Sequence, residues 1–310
     1  MATVLAVLTS GRKHGFTARL LESAIGGIES VAGVTADFLH THDFSYGPCT
    51  SCFACVRSDE HVCVLEDDMG RKGEGEVFQR LSRANGLIIA DPVHNWSPTA
   101  SARLLIERCY PLLWSGKLNG MPAGSISCAS NQGMHRLARA ELCKWCFGLR
   151  TRYVGGVAAH VAFFDRALQE AQALGEALGH AALEDETEGR RPWNDAECFA
   201  YYTEHGHWAP SETYIDNLTD GTMLAENSII AAALQEDVFQ DPEAAEHLTK
   251  AQEEFHNSVR LYRAGEYTAA ARSLAEASAY WTQATWREFL QDDVIGVAKP
   301  QAYRPIAGDD

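Results

Sequence analysis

Four cysteines lie close together in one short stretch of the chain. They are Cys49, Cys52, Cys55 and Cys63, spaced C-x2-C-x2-C-x7-C in the segment PCTSCFACVRSDEHVC. Thiolates at two-residue intervals are typical of [4Fe–4S] sites, because a short loop can turn each sulfur inward toward a cubane. Tetrahedral zinc more often takes its ligands as two separated pairs. The spacing therefore favours an iron–sulfur cluster, while disulfides, zinc and free thiols are the alternatives.

The charge and composition of the 310-residue chain narrow its partners and its compartment. Lys and Arg number 26 against 42 Asp and Glu, which gives a formal net charge of −16. Phosphate-binding surfaces need positive patches, so this excess of acid argues against nucleic acid or an anionic membrane as the main partner. The sequence contains no evident targeting segment and no apolar run near the ~20 residues that span a bilayer. We therefore expect a cytoplasmic protein with no membrane partner.

A cytoplasmic compartment bears on the cysteines. In reducing cytosol stable disulfides are rare, and clustered thiols more often bind a metal or react. Seven residues separate Cys55 from Cys63, so a loop must return the fourth thiolate, and His61 is its nearest alternative as a ligand. The other five cysteines are expected to be buried small apolar residues: Cys109, Cys128, Cys143, Cys146 and Cys198.

The elements that must position the clustered thiols alternate between strand and helix over residues 1–183. Short apolar runs such as VLAVLT are typical of strands buried on both faces. Strands are predicted at 4–9, 34–40, 86–91, 124–129 and 153–159, and helices at 15–31, 68–84, 98–114, 133–147 and 166–183. This alternation predicts an α/β domain with a doubly wound, five-stranded parallel sheet. The common strand order 2-1-3-4-5 places a ligand site at the carboxyl ends of strands 1 and 3.

Beyond residue 183 the pattern changes. The charged stretch EDETEGRRPWNDAE opens a predicted linker and irregular segment over residues 184–225. Residues 226–310 are predicted to form a helical C-terminal region. Its helices at 244–262 and 267–290, around the turn RAGEY, are similar to one tetratricopeptide-type hairpin. One hairpin is too few for a repeat array, so we expect an α-helical extension to the α/β domain.

Three loops follow the strands that flank the expected ligand site. The loop TSGRKHGFT after strand 1 offers Ser10, Arg12 and Thr17 at a helix start near Gly15. Backbone N–H groups and the helix dipole attract a phosphate there, although an ordinary strand–helix turn is the alternative. The loop PVHNWS after strand 3 can present a flat wall and backbone polar groups to a conjugated ring. The loop after strand 4 supplies SNQG, residues 130–133, on the same side.

Four segments, in this order, resemble the NADPH-dependent FMN reductase family of flavodoxin-like proteins: TSGRKHGFT, PCTSCFACVRSDEHVCVLEDDM, ADPVHNWSPTASARLLIER and SCASNQG. The cysteine motif, with its loop at residues 47–63, resembles that of the family's iron–sulfur flavoprotein branch. The resemblance covers residues 1–183 and implies a flavodoxin-like fold, FMN at the carboxyl ends of the strands, and a homodimer or homotetramer. It implies an FMN-binding set made of Ser10, Arg12, Gly15, Phe16, Thr17, Pro92, Val93, His94, Asn95, Trp96, Ser97, Ser130, Asn131, Gln132 and Gly133. Phe16, His94 and Trp96 depart from the residues that are usual in the family.

The thiols and the three loops together predict an FMN-dependent oxidoreductase that couples two-electron flavin chemistry to electron transfer by a one-electron [4Fe–4S] cluster. NAD(P)H is a candidate electron donor, and the acceptor is a redox partner protein or a small molecule. No side chain is predicted as a catalytic acid or base, because reduced flavin itself delivers hydride. Two alternatives remain. One is a NAD(P)H-dependent flavin, quinone or nitro reductase without a cluster, and the other is a non-catalytic interaction protein that uses the helical C-terminal region.

Overall fold

The computed structural model describes residues 1–205 and 208–289. By its internal contacts the chain divides into two compact units, one over Met1–Pro192 and one that begins at Trp193. Residues 290–310 of the predicted C-terminal region lie outside the described residues. In the described part of the chain, no helix combines the length and the apolar character needed to cross a bilayer.

The first unit is built on a parallel sheet. Its strands are β1 (Ala2–Leu8), β2 (Val34–His40), β3 (Gly86–His94), β5 (Pro122–Ala129) and β6 (Arg152–His160), in the order β2-β1-β3-β5-β6. A short strand, β4 (Ser97–Pro98), pairs antiparallel with the end of β3. The strand order reverses direction between β1 and β3, which confirms the predicted doubly wound, flavodoxin-like sheet and its topological switch point.

The middle strands are apolar because both faces of the sheet are covered. Every residue of β5 is buried, and in β1 only Thr3 is partly exposed. Helices α1 (Phe16–Glu29) and α7 (Phe164–Glu188) pack against each other and against these strands. They approach so closely that a Cβ on Gly175 would lie 1.9 Å from the carbonyl oxygen of Ala24. This pair anchors α1, whose first turn follows the β1 loop.

The remaining helices of the first unit are α2 (Ala54–Arg57), α3 (Glu76–Arg83), α4 (Ala100–Arg108), α5 (Tyr110–Trp114) and α6 (His135–Gly148). The single helix predicted at 98–114 is in fact α4 and α5, because Pro111 lacks the N–H that a continuous helix would need there. The break leaves Arg108 at the end of α4.

The helix predicted at 68–84 begins only at Glu76. A Cβ on Gly70 would lie 1.9 Å from the carbonyl oxygen of Leu65, and the Arg71 N–H donates to that same oxygen at 2.6 Å. The chain therefore folds back on itself before α3, which brings residues 65–71 close to the cysteine loop. The glycines that weaken the helical pattern in the sequence are needed for this close approach.

The second unit is helical. Its elements are α8 (Asp195–Glu204), α9 (Pro210–Leu218), α10 (Ile229–Gln235), α11 (Pro242–Arg263) and α12 (Tyr267–Phe289). Helices α11 and α12 form the hairpin that the sequence predicts. The five cysteines outside the motif are all buried, also as predicted.

Residues 184–225 differ from the irregular linker predicted for them. Helix α7 continues to Glu188, and α8 starts with a capping box in which Asn194 and Glu197 satisfy each other's backbone N–H groups. Helix α9 follows, with Pro210 in its first turn. The capping signal N-x-x-E was present in the sequence, but the mixed aromatic and polar composition after it obscured the helical pattern.

Candidate functional site

The loops after β1, β3 and β5 meet at the carboxyl edge of the sheet. The strand register places Leu8 beside Ala90, and Pro92 beside Cys128, so the three loops leave the sheet as neighbours. This edge, with its loops at residues 9–16, 92–97 and 130–133, is called the flavin edge below. The structure thus gathers at one place the three segments that the sequence predicts as the FMN-binding set.

A buried side chain, Asp91, ties the flavin edge together. Its Oδ1 accepts hydrogen bonds from the hydroxyls of Thr9, at 2.5 Å, and Thr99, at 2.6 Å, and its Oδ2 accepts from the Thr99 N–H at 2.9 Å. Burial raises the pKa of Asp91, and the hydrogen bonds from Thr9 and Thr99 oppose that rise. Thr99 is the N-cap of α4, so Asp91 links the β1 loop to the start of that helix. This role was not predicted, although an acidic residue at the end of the apolar run GLIIA is a signal for it.

The β1 loop has the features of an anion-binding helix start. Helix α1 begins after Gly15 without a side-chain cap and without an acidic residue in its first turn, which leaves its first N–H groups available to an anion. The Arg12 side chain folds over Gly15, with its guanidinium carbon 3.9 Å from where a Cβ on Gly15 would lie. The buried Ser10 hydroxyl accepts a hydrogen bond from the Arg12 N–H at 3.2 Å. Ser10, Arg12 and Gly15 therefore lie together.

Two neighbouring members of the predicted set make different contacts. Thr17 is buried, and its side chain opposes the rise that burial causes in the pKa of Cys128, so it lies beside the end of β5. Phe16 is 46% exposed and lies edge-on to Phe164, with ring centroids 5.0 Å apart. Thr17 thus packs inside the first unit, while Phe16 gives the flavin edge an apolar side.

Strand β2 holds the β1 loop from the other side. His40 is buried; its Nε2 lies 2.7 Å from the Ser10 carbonyl oxygen, and its Nδ1 lies 3.2 Å from Asp43 Oδ1. The Lys13 ammonium donates to Asp43 Oδ2 at 2.7 Å. Hydrogen bonds from Lys13 and His40 lower the pKa of Asp43. These contacts fix the backbone of the β1 loop through residues that the sequence analysis did not connect with it.

The loop after β3 is a hairpin that displays an aromatic ring. Asn95 and Trp96 form its two-residue turn, with φ values of 48° and 66°, the left-handed backbone that a type I′ turn requires. The Trp96 side chain is 60% exposed, and His94 is exposed beside it. A bulky residue is unusual at positive φ, so the turn holds the indole out at a small cost in backbone strain.

The hairpin is anchored by Ser97. Its hydroxyl donates to Glu141 Oε2 at 3.1 Å and accepts from Arg103 Nη2 at 2.6 Å, and Arg103 and Glu141 are themselves paired at 2.5 Å. Pro92 and Val93 belong to β3, so they reach the flavin edge as strand residues. The predicted ring-contact segment is therefore rigid at both ends.

The loop after β5 lies open at the same edge. Ser130, Asn131 and Gln132 are exposed, and Asn131 and Gly133 have φ values of 68° and 92°. His160, at the end of β6, donates from Nε2 to the Asn131 carbonyl oxygen at 3.0 Å. This bond fixes the loop while leaving its side chains free to face a ligand.

All four clustered cysteines line one cavity of about 320 Å³, which is called the cysteine cavity below. Its opposite wall comes from the end of α4 and the start of α5. Cys49 and Cys52 are exposed, and Cys55 and Cys63 are half-buried. Burial, followed by the charges of Cys63, Cys49 and Cys52, raises the pKa of the Cys55 thiol to about 12. Cys55 therefore lies close to the other three thiols of the loop.

The cavity does not have the geometry of a single-ion site. Among the described residues, no group of three or more His, Cys, Asp or Glu side chains is arranged to hold one metal ion. His61, the alternative fourth ligand, has φ of 49° and a ring Nδ1 that lies 2.9 Å from the Cys55 carbonyl oxygen, to which it donates. Because Nδ1 of His61 is hydrogen-bonded to the loop backbone, this ring nitrogen is not available as a metal ligand.

Two residues at the end of α4 form hydrogen bonds with both ends of the cysteine loop. Glu107 Oε1 accepts the Cys49 N–H at 2.8 Å. Arg108 donates to the Gly47 carbonyl oxygen at 2.6 Å, to both carboxylate oxygens of Asp67 at 2.7 and 2.9 Å, and to Cys63 Sγ at 3.4 Å. These contacts were not predicted. Arg108 lies on the buried face of α4, three residues after Leu105, and an arginine on an apolar face is the signal that predicts such an ion pair.

Parts of this chain are similar in sequence to known proteins. An iron-sulfur flavoprotein of Methanocaldococcus jannaschii is 25% identical over 129 residues, which are 42% of this chain and 63% of that protein. One of Archaeoglobus fulgidus is 29% identical over 120 residues, or 39% and 51% of the two chains. One of Methanosarcina thermophila is 31% identical over 90 residues, or 28% and 44%. The chain thus matches less than two thirds of the length of each of these relatives.

Solved structures resemble the chain at lower identity. An NADH:FMN oxidoreductase in its apo form is 19% identical with a TM-score of 0.42, covering 62% of this chain and 95% of that one. An NAD(P)H:quinone oxidoreductase from Methanothermobacter marburgensis is 15% identical with a TM-score of 0.45, covering 58% and 98%.

A family model described as NADPH-dependent FMN reductase matches residues 2–165, more than half of the chain. The matched region contains β1 to β6, the flavin edge and the cysteine cavity. The match confirms the resemblance that the sequence motifs gave, and this chain therefore belongs to the NADPH-dependent FMN reductase family.

Proposed function

We propose that the protein is an FMN-dependent oxidoreductase that transfers electrons between FMN at the flavin edge and a [4Fe–4S] cluster in the cysteine cavity. The observation that carries the proposal is the placement of Cys49, Cys52, Cys55 and Cys63 around one cavity. That cavity ends on α4, and the start of the same helix is bonded through Thr99 to Asp91 at the flavin edge.

The flavin edge fits FMN by the chemistry of its groups. The uncapped start of α1 and the Arg12 guanidinium suit the phosphate, with Ser10 shaping the loop beneath them. The hairpin of Asn95 and Trp96 offers an aromatic wall and backbone polar groups for the ring, and residues 130–133 close the same edge. Family membership supports this assignment, since the matched region includes all three loops.

The cysteine cavity fits a cubane by the number and arrangement of its donors. In a [4Fe–4S] cluster each thiolate binds a different iron, so the four sulfurs surround a volume and do not converge on one point. Four thiols that line one cavity of about 320 Å³ support such an arrangement. The curated relatives are named iron-sulfur flavoproteins, which supports the same donor set.

When bound, FMN would exchange two electrons with a donor such as NAD(P)H and pass them on singly, and the cluster would carry one electron at a time. The chain's own residues position these groups. Asp91 holds the β1 loop against β3, and the ion pair of Arg103 and Glu141 holds the hairpin. Ile106 and Pro111 give the cysteine cavity an apolar wall. A wall of this kind excludes water and so influences the potential of a cluster.

Anaerobic purification with iron, acid-labile sulfide and flavin analysis tests the proposal. We expect about four iron and four sulfide per chain for a cubane on four cysteines, together with FMN. Cys52→Ser should remove the cluster and its absorbance near 400 nm yet retain FMN, because the two sites use separate loops. Cys198→Ser, a buried cysteine of the second unit, is the matched control and should retain both. Stoichiometric zinc, or no metal in the parent protein, would contradict the cluster.

A reductase of flavin, quinone or nitro compounds that holds no cluster is the second candidate. It is favoured by the exposure of Cys49 and Cys52 and by the lack, among the described residues, of a group arranged to hold a metal ion. The iron analysis separates the two candidates. Protein that binds FMN and oxidises NAD(P)H without any iron would establish the second.

The proposal extends to a homodimer or homotetramer. Large apolar side chains are exposed on loops and helix starts around the flavin edge, namely Phe16, Trp96, Met134, Leu137 and Phe163. Surfaces of this kind often mark a contact between proteins. Light scattering at micromolar concentration tests this part, and a strict monomer would contradict it.

A further inference from the structure

Arg108 is a charged side chain almost completely removed from solvent. Its relative exposure is 2%, and its neighbours on the buried face of α4 are Ala102 and Leu105. A guanidinium so deeply buried is costly unless its donors are paired. Its partners are all in the segment that carries the cysteines, at Gly47, Cys63 and Asp67. Arg108 therefore stabilises the conformation of the cysteine loop.

The geometry of the pair with Asp67 determines where the remaining N–H points. Two guanidinium nitrogens bind the two carboxylate oxygens, at 2.7 and 2.9 Å, which fixes the plane of the fork. In that plane Nη2 also faces Cys63 Sγ at 3.4 Å. A lysine has no planar fork and could not meet the carboxylate and the sulfur in the same way.

Cys63 needs such an anchor more than the other three cysteines do. Cys49, Cys52 and Cys55 follow one another at two-residue intervals, from irregular chain into α2, and the Ser51 N–H already donates to Cys49 Sγ at 3.4 Å. Cys63 comes after a seven-residue gap. Its backbone is held by the Lys72 N–H, which donates to the Cys63 carbonyl oxygen at 2.8 Å, and its sulfur is held by Arg108.

We infer that Arg108 is a positioning residue that fixes Cys63 as the fourth ligand of the cluster and raises the reduction potential of that cluster. The inference rests on the proposed function. A hydrogen bond to a ligating sulfur stabilises the reduced, more negative state more than the oxidised state. The charge of Arg108 acts in the same direction, and Asp67 offsets part of it while orienting the donor.

The test uses two variants and one matched control, all purified without oxygen. Arg108→Met combined with Asp67→Asn removes the donor and the carboxylate together, so that no unpaired charge is left buried. Arg108→Lys retains the charge but loses the fork. Arg83→Met, at an exposed arginine on α3, is the control for the loss of an arginine. EPR-monitored redox titration gives the potential, and iron, sulfide and FMN are measured per chain.

We expect the double variant to shift the ratio of reduced to oxidised cluster at least tenfold toward the oxidised form at a given potential, which corresponds to about 59 mV for one electron. It should also lose iron faster to a chelator, while its FMN content equals that of the parent. Arg108→Lys should shift in the same direction by a smaller factor. Arg83→Met should match the parent in all three measurements.

The outcomes separate the inference from the proposed function. A parent protein without a cluster overturns both. A parent with a cluster whose potential and iron retention are unchanged in the double variant and in Arg108→Lys overturns the role of Arg108 alone. If the double variant does not fold, the potential of Arg108→Lys decides, since a residue with a merely structural role would leave that potential at the parent value.

Discussion

The loops at the flavin edge are placed by the register of the strands they follow, whereas the cysteine loop is held by a helix far from it in sequence. Leu8 pairs with Ala90, and Ala90 pairs with Ile126, so the positions of the three flavin loops follow from the sheet. The cysteine loop depends on Glu107 and Arg108, 58 residues from Cys49 and 61 residues from Gly47. The position of a site at strand ends follows from the fold, whereas a site in a long loop must be held in place by specific side-chain contacts.

The largest expected effect comes from the residue that the two regions share. Asp91→Ala removes one of the two acceptors of the Thr9 hydroxyl, leaves the Thr99 N–H without its acceptor and uncouples the start of α4 from β3. We expect the free energy of unfolding to fall by about 3 kcal/mol, with weaker FMN binding and lower iron content together. Urea denaturation with cofactor analysis measures this. Loss of FMN with full iron retention would mean that α4 is positioned without Asp91.

The pH dependence of stability sharpens the role of Asp91. Because its folded pKa is raised above the ordinary value of 3.8, the folded state holds its proton more tightly than the unfolded state. This contribution is complete below pH 3.8 and is lost as pH rises through the raised pKa, by about 1.4 kcal/mol for each unit of the rise. The stability advantage of the parent over Asp91→Asn should therefore shrink as pH increases from 4. If the stability advantage of the parent instead grew with pH, the folded-state pKa of Asp91 would be lowered and not raised.

The next effect is confined to the flavin edge. Arg12→Ala should weaken FMN binding by about 1.5–3 kcal/mol, the range for a hydrogen bond to a charged group, and leave the iron content unchanged. Titration of the apoprotein with FMN measures the affinity. Arg83→Ala is the matched control, because Arg83 is an exposed arginine on α3, outside the flavin edge, and its loss should change the affinity little. Equal affinities for the parent and Arg12→Ala would remove Arg12 from the phosphate site.

Another substitution should have an effect of similar size that is confined to the cysteine cavity. Gly70→Ala places a Cβ 1.9 Å from the Leu65 carbonyl oxygen, so the turn that carries Asp67 must shift, at a cost of about 1–3 kcal/mol. Iron retention should fall and FMN binding should stay at the parent level. Gly47→Ala, where a Cβ would meet nothing within 4 Å, is the control in the same loop. A parallel loss of FMN would show that the two regions are not independent.

The smallest effect on stability is predicted for the hairpin. Trp96→Gly converts the turn to Asn-Gly, the pair that a type I′ turn prefers, and should raise the free energy of unfolding by under about 1 kcal/mol. The same change removes the exposed indole and should weaken FMN binding. Trp96→Ala, which removes the ring but retains the strained φ, distinguishes the two contributions. A stability loss in Trp96→Gly would show that the indole packs on the protein.

The sequence predicted the strands and the ligand-bearing loops because both depend on local patterns. Apolar runs marked the strands within a few residues, and the spacing of Cys49, Cys52 and Cys55 indicated a common site. Asp91, Glu107 and Arg108 were missed because their partners lie between 8 and 82 residues away, and no local period encodes such pairs. The break between α4 and α5 was missed for a different reason. Pro111 was read within one helical pattern, although it could not continue the helix from α4.

The length of α4 has a consequence for how this chain could change without losing its function. Nine residues at 1.5 Å each make a helix of about 13.5 Å, which sets how far Arg108 lies from the N-cap Thr99 along the axis. One residue inserted into α4 would turn everything after it by about 100° and carry the guanidinium away from Asp67. An insertion after α2, among residues 58–60, would only lengthen a loop whose two ends remain bonded to Glu107 and Arg108. Length variation should therefore be tolerated between the third and fourth cysteines and forbidden in the helix that faces them.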